Sequence, residues 1–377
     1  MKQQLALRVL AEAMNWSDDE ANREFEWLKL ISRVKYDGYQ GYLAGVRFVE
    51  SLIVWLQQFK ETEERRTAYG FVRNRLIFIN SQEMRHLVGR FYSQVVQPSL
   101  VAQAAEHFGI PRYTVWADEH AAARVKTLLR RTLFMGLSDG ARMDILRRAN
   151  AGRISNEQTV LAPIVDYEKW KDLQKELRND LPGADEDPKF ARVYVIDDLT
   201  ASGTTLIRYD EESQKWKGKL PKLREAICQA RTALGDEFPL AQNLALCVHH
   251  YIATESALRD VQKLCDQAAA TFAETWWFSS VCLSASMVLK DSEKLRAADD
   301  PFVALTDVYY DPILENRHAK ESGVTNMRLG YKECALPLIL EHNTPNNSVS
   351  LLWAETEGQE EGAHAMRPLF RRTTRHT

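Results

Sequence analysis

The sequence predicts an α/β protein: a parallel-sheet core with a helical N-terminal region before it and a C-terminal β-hairpin after it. Three observations carry this. Between Pro111 and residue 330, short apolar runs alternate with helical patterns, as strands joined by crossover helices do. Residues 1–110 carry apolar side chains at helical spacing. Residues 334–341 and 350–355 are strand-like and flank a turn-rich His342-Asn343-Thr344-Pro345-Asn346-Asn347, which predicts the hairpin. The expected borders are 1–110, 111–330 and 331–377.

In the first region Trp27, Leu28, Leu30, Ile31 and Val34 share one helix face, and Val46, Val49, Ile53, Leu56 and Phe59 another. Asn80 and Ser81 are an N-cap signal ahead of Glu83, Leu87, Phe91 and Val95. Pro98 and Pro111 end this region. The core strands are expected at 133–135, 159–165, 192–196 and 244–251, with helices from Thr204 and over 256–265. A polar stretch, 166–189, interrupts them, and the tail from Glu355 is expected to be loose.

Composition narrows the class. The chain has 377 residues, room for two or three domains, and 45% are hydrophobic, enough for a full core. A formal charge of −3 excludes a generic nucleic-acid coat. Five cysteines without CxxC spacing argue against a disulfide framework and a thiolate zinc site, and predict free thiols in the cytoplasm. No signal peptide or apolar run of spanning length is visible, so no membrane role is expected.

The chemistry concentrates in VYVIDDLTASGTT, from Val193 to Thr205. Four β-favouring residues predict a strand buried on both faces, with Asp197 and Asp198 at its C-terminal end, where open α/β sheets bind ligands. Thr200, Ala201, Ser202, Gly203, Thr204 and Thr205 are all small. Such a loop lets backbone amides approach an anion, and its hydroxyls add donors. A helix cap would need one acid rather than two. A Walker loop would need a lysine, and a dinucleotide fingerprint would need GxGxxG.

This pattern resembles the type I phosphoribosyltransferases. The resemblance implies binding of phosphoribosyl diphosphate, with residues 200–205 on the 5′-phosphate. Asp197 and Asp198 would lie beside the ribose hydroxyls and hold Mg²⁺, directly or through water. Displacement of diphosphate at the anomeric carbon needs positioning, charge stabilisation and exclusion of water, and no protein nucleophile. The family's diphosphate loop would be Ser138, Asp139, Gly140, Ala141 and Arg142, after a short apolar run. Residues 166–188 occupy the place of a closing lid.

Between Arg124 and Arg153 stand eight basic residues and two acids, Asp139 and Asp144. That balance suits a diphosphate or a nucleic acid. His342, Asn343, Asn346 and Asn347, near Trp353, are the expected acceptor-side residues. Of His249 and His250, adjacent on one strand, only one can face the site. Residues 133–353 are also similar to phosphoribosyltransferase-like proteins of bacterial conflict and anti-phage operons, which implies an effector. The alternative is a non-catalytic sensor of a phosphorylated ribose or nucleotide, with the N-terminal helices binding a partner protein. A third reading is a nucleic-acid effector using the same basic stretch and the tail Arg367, Arg371, Arg372 and Arg375.

Overall fold

The structure is a computed structural model and describes residues 3–39, 47–181, 188–297, 299–315, 326–358 and 364–373. The chain opens with helices α1 (Gln3–Met14), α2 (Asp18–Val34), α3 (Phe48–Gln57) and α4 (Thr62–Asn74), then strand β1 (Ile77–Ile79). Helices α5 (Ser81–Phe91), α6 (Gln97–Phe108) and α7 (Glu119–Arg130) follow. Next come β2 (Thr132–Gly136), α8 (Met143–Ala149), β3 (Thr159–Val160), α9 (Tyr167–Asp180) and β4 (Phe190–Thr200). A ribbon, β5 (Arg208–Asp210) and β6 (Lys215–Lys217), precedes α10 (Lys219–Leu234), β7 (Leu240–Thr254), α11 (Glu255–Thr271) and β8 (Ser280–Leu289). Helix α12 (Pro301–Tyr309) and strand β9 (Leu338–Leu340) complete the chain.

Two compact units form: Met1–Met84 with Ser292–Thr377, and Arg85–Asp291. The borders expected at 110 and 330 therefore lie at 84 and 291, and the two chain ends share one unit. In it Trp55 of α3 donates Nε1 to the Leu351 carbonyl at 2.7 Å, and Phe71 stacks on Phe302 at 3.9 Å. The expected C-terminal hairpin is absent among the described residues. Instead β9 pairs in parallel with β1, Ile77 opposite Leu338, and Ser350–Leu352 forms a 3-10 turn. The apolar run did encode a strand, but its partner lies far away in sequence. Nor are the described residues 364–373 of the tail loose: Met366, Leu369 and Phe370 are fully buried. Arg371 pairs with Glu355, Arg367 with Glu357 at 3.7 Å, and Arg372 sits over Trp353 at 5.5 Å. Arg375 lies outside the described residues.

The other unit is a five-stranded parallel sheet, ordered β3-β2-β4-β7-β8. Side chains alternate across it. Val193 and Val195 pack with Leu133, Met135, Leu246 and Val248 under α9, α10 and α11. Tyr194 faces the other way, stacked on Phe134 at 5.6 Å and edge-on to Phe91 at 5.3 Å. The strand is thus buried on both faces, as its uninterrupted apolar run requires. The segment expected as a lid is largely helix α9, whose Trp170, Leu173 and Leu177 are core residues; 182–187 lie outside the described residues. No described helix is long and apolar enough to cross a membrane.

Candidate active site

Strand β4 ends in the acid pair, and the sheet order puts β2 and β7 on either side of it. Asp197 continues the Val193–Val195 row and is 6% exposed; Asp198 is half-buried. Two elements converge on Asp197. Ser138, just past β2, donates its hydroxyl to Oδ1, and Lys219, the first residue of α10, places its ammonium on Oδ2. The Asp198 amide also donates to Oδ1, at 3.1 Å. Burial is the largest influence on the Asp197 carboxyl and pushes its pKa up; the Asp198 charge adds to this, and Lys219 and Ser138 oppose it.

The loop after β2 fits against the second acid. Leu137 is tied to the end of β4 by its N–H, which donates to the Ile196 carbonyl at 2.8 Å. Ser138 caps a single turn, Asp139–Ala141, accepting from the Gly140 amide at 3.2 Å. Gly140 lies so close to Asp198 that a Cβ there would sit 2.5 Å from the carboxyl carbon. Tyr251 of β7 fixes the turn by donating to the Ala141 carbonyl at 2.7 Å. Arg142 closes it with φ 48°.

The small-residue loop is clamped from below. Thr254 donates to the Ala201 carbonyl at 2.8 Å while capping α11 through the Ala257 amide. Gly203 has φ 73° and packs on α11, where a Cβ would lie 2.3 Å from Val261 Cγ2. Only glycine satisfies both constraints. Ser202 and Thr204 bring their hydroxyl oxygens to 3.0 Å. Among the described residues, the amides of Ala201, Ser202, Gly203, Thr204 and Thr205 donate to no protein acceptor. Free amides on a fixed turn with hydroxyls beside them make an anion cradle.

The helix expected from Thr204 does not start there. A turn closes on the Gly203 carbonyl, the β5–β6 ribbon intervenes, and α10 begins at Lys219. Its first amides return to the loop: Lys219 N donates to Thr205 O at 3.0 Å and Leu220 N to Leu206 O at 3.0 Å. Gly218 permits that approach, since a Cβ would meet the Leu206 carbonyl at 2.6 Å. The detour opens a cavity of about 750 Å³ beside Thr205, lined by Arg208, Lys217, Lys219, Lys222, Trp216 and Phe272 among others.

Residues 52–372 match the PRTase-CE family. The chain belongs to that family, which is of the phosphoribosyltransferase type. No curated protein and no solved structure matches it. In this PRTase-CE chain the loop at 138–142 touches both acids at the end of β4, and the small-residue loop follows them directly in the chain.

His342, Asn343, Asn346 and Asn347 belong to the unit that lacks the acid pair. Asn343 brackets Thr373, donating to its carbonyl at 2.9 Å and accepting from its amide at 3.0 Å. Asn347 donates to the Tyr331 carbonyl at 3.3 Å, and the Asn346 carbonyl accepts from Tyr331 N. These asparagines organise a connection in their own unit.

Two residues near the acids have no signal in the motif. Lys219 reaches Asp197 from a helix separated from the motif by the ribbon. His250, in register with Asp197, is the histidine on the site's face. It is 3% exposed, its Nδ1 has no partner among the described residues, and burial lowers its pKa to about 4. His249 is a core residue, held between Ser284 and Ser286 at 2.9 and 3.1 Å.

Proposed function

We propose that this PRTase-CE protein binds phosphoribosyl diphosphate with Mg²⁺ and transfers the phosphoribosyl group to an acceptor, as an effector in a bacterial defence system. The observation that carries the reading is the double contact of the 138–142 loop with the acid pair, Ser138 to Asp197 and Gly140 against Asp198, just ahead of the small-residue loop. The resemblance of residues 133–353 to proteins of anti-phage operons supports the defence role.

The residues fit Mg²⁺. Two adjacent carboxylates are hard oxygen donors, and no third acidic, histidine or cysteine ligand stands with them among the described residues, leaving the other positions to ligand oxygens and water. Lys219 already neutralises Asp197, so Asp198 would be the principal holder, with Asp197 acting through water. The ion, when bound, would offset the charge of the departing diphosphate.

In this reading the amides of residues 201–205 hold the 5′-phosphate. Asp198 accepts from the ribose hydroxyls, and the carboxylates stabilise positive charge developing on the sugar ring. Lys219 and Ser138 fix Asp197, and the 138–142 turn positions the diphosphate. The bond from the anomeric carbon to the diphosphate oxygen breaks, a bond to the acceptor forms, and diphosphate leaves.

Diphosphate release with a panel of nucleobase and nucleoside acceptors tests this. Release by wild type and none by Asp197→Asn/Asp198→Asn is expected, together with loss of phage protection in a plaque assay. Release that survives the double substitution refutes it. The Lys219 ammonium on Asp197 favours a second reading, a sensor that binds the donor without turnover. Donor binding with no diphosphate released under any acceptor would select it.

A further inference from the structure

We propose that the sheet-containing unit carries a second ligand site, for a nucleoside phosphate, at the opposite end of the sheet from the acid pair. The site is a cavity of about 820 Å³. Its lining includes Arg130, the last residue of α7 before β2, and Gln158, immediately before β3. Strands β2 and β3 run away from it, and β2 leads to the Ser138 loop. The cavity therefore lies at the N-terminal ends of the strands, and the acids lie at the C-terminal end.

Charge identifies half of the ligand. The lining contains Lys126, Arg130, Arg147, Arg148 and Arg153 and no carboxylate. Arg130 is engaged by Asp180, and Arg148 by Asp144 at 2.7 Å. Among the described residues, Lys126, Arg147 and Arg153 make no ion pair with a carboxylate, and all three are exposed. The basic stretch legible in the sequence is therefore divided: Arg142 belongs to the loop near the acids, and these cations converge on a different pocket.

The walls identify the other half. Trp116 is 53% exposed at the cavity, and Arg153 sits over the Tyr92 ring at 5.6 Å. Val125, Leu129 and Ile154 add apolar surface. A bare anion needs no aromatic wall, whereas a base stacks on one while its phosphate meets the cations. The floor is fixed in advance: Gln158 Nε2 donates to the Leu129 and Thr132 carbonyls at 2.6 and 2.7 Å. The volume lies in the range of small-molecule sites, about 300–1,000 Å³. The same chemistry comes from a free nucleotide or from the end of a single-stranded RNA.

The test is calorimetric titration of the full chain with adenosine 5′-monophosphate, a 5′-phosphorylated oligoadenylate RNA and inorganic phosphate. The nucleotide or the RNA is expected to bind, more weakly as salt rises. Trp116→Ala, and separately Arg147→Gln/Arg153→Gln, should each weaken binding about tenfold or more. Both sets of substitutions should leave the titration with phosphoribosyl diphosphate and Mg²⁺ as in wild type, which separates failure here from failure of the donor site. Binding by RNA alone assigns a strand, and equal binding by the nucleotide assigns a free ligand; both uphold the site. No binding by either probe, phosphate binding as tightly as the nucleotide, or insensitivity to either substitution overturns it. The substituted side chains are exposed, so unchanged urea midpoints should accompany these results.

Discussion

Gly140→Ala tests how the diphosphate loop and the acid pair are fitted together. The added Cβ would lie 2.5 Å from Asp198 Cγ, 2.6 Å from Oδ2 and 2.8 Å from Oδ1. Ordinary contact starts at 3.4 Å, so the carboxyl group must retreat by about 1 Å. Gly140 is not in the left-handed region, so the clash is the main effect of the substitution. A charge-assisted hydrogen bond is worth about 1.5–3 kcal/mol. Pulling Asp198 away from the ribose hydroxyls should therefore weaken donor binding about ten- to a hundredfold. The half-buried carboxylate can swing toward solvent, so the fold should lose no more than about 1 kcal/mol. Calorimetric titration with phosphoribosyl diphosphate and Mg²⁺, alongside urea unfolding, reads both quantities. Wild-type affinity in Gly140→Ala would refute the placement of Asp198 at the ribose.

Lys219→Met should leave Asp197 buried with a hydroxyl and an amide for partners. Because Lys219 keeps 29% of its side chain in water, the loss should be modest, about 1–3 kcal/mol by urea unfolding, and adding Asp197→Asn should recover most of it. Gly203→Ala meets both a left-handed backbone and Val261; a cost of about 1–3 kcal/mol and weaker donor binding are expected, with only part of the stability returned by Val261→Ala. His249 has its pKa lowered to about 3, first by burial and then by His250. Its neutral form is favoured in the fold, so this contribution is intact above the ordinary value of 6.5 and is lost as pH falls through 6.5 toward 3. At pH 5 the loss should reach about 2 kcal/mol relative to pH 8. A His249→Gln variant with the same pH profile in urea unfolding would contradict this.

Much of the site was legible because its information is local. Residues 193–205 encode a strand, two acids and a cradle in one stretch, and the Gly136–Arg142 turn follows its strand directly. Strands at 133–135 and 244–251 were visible from apolar runs. What was missed depends on distant partners. Strand β8, SVCLSASMVL, has small polar residues in the alternating positions and lies at the sheet edge, so its hydrophobic signal is weak. Strand β9 finds β1 across most of the chain, which no local pattern encodes, and a nearby apolar run suggested a hairpin instead. The ribbon over 208–217 is charged and reads as loop, so it concealed the delayed start of α10 and with it Lys219. Acidic and basic residues in 166–180 hid Trp170, Leu173 and Leu177, spaced to bury one face of α9.

Donor titration bears most directly on the central claim, that the end of β4 is a phosphoribosyl diphosphate site. Wild-type protein with Mg²⁺ should bind the donor. Asp197→Asn/Asp198→Asn should lose that binding by about a hundredfold or more while keeping its fold, since two charged contacts are removed. A wild-type protein that does not bind the donor, or a double variant that binds it equally well, would contradict the account.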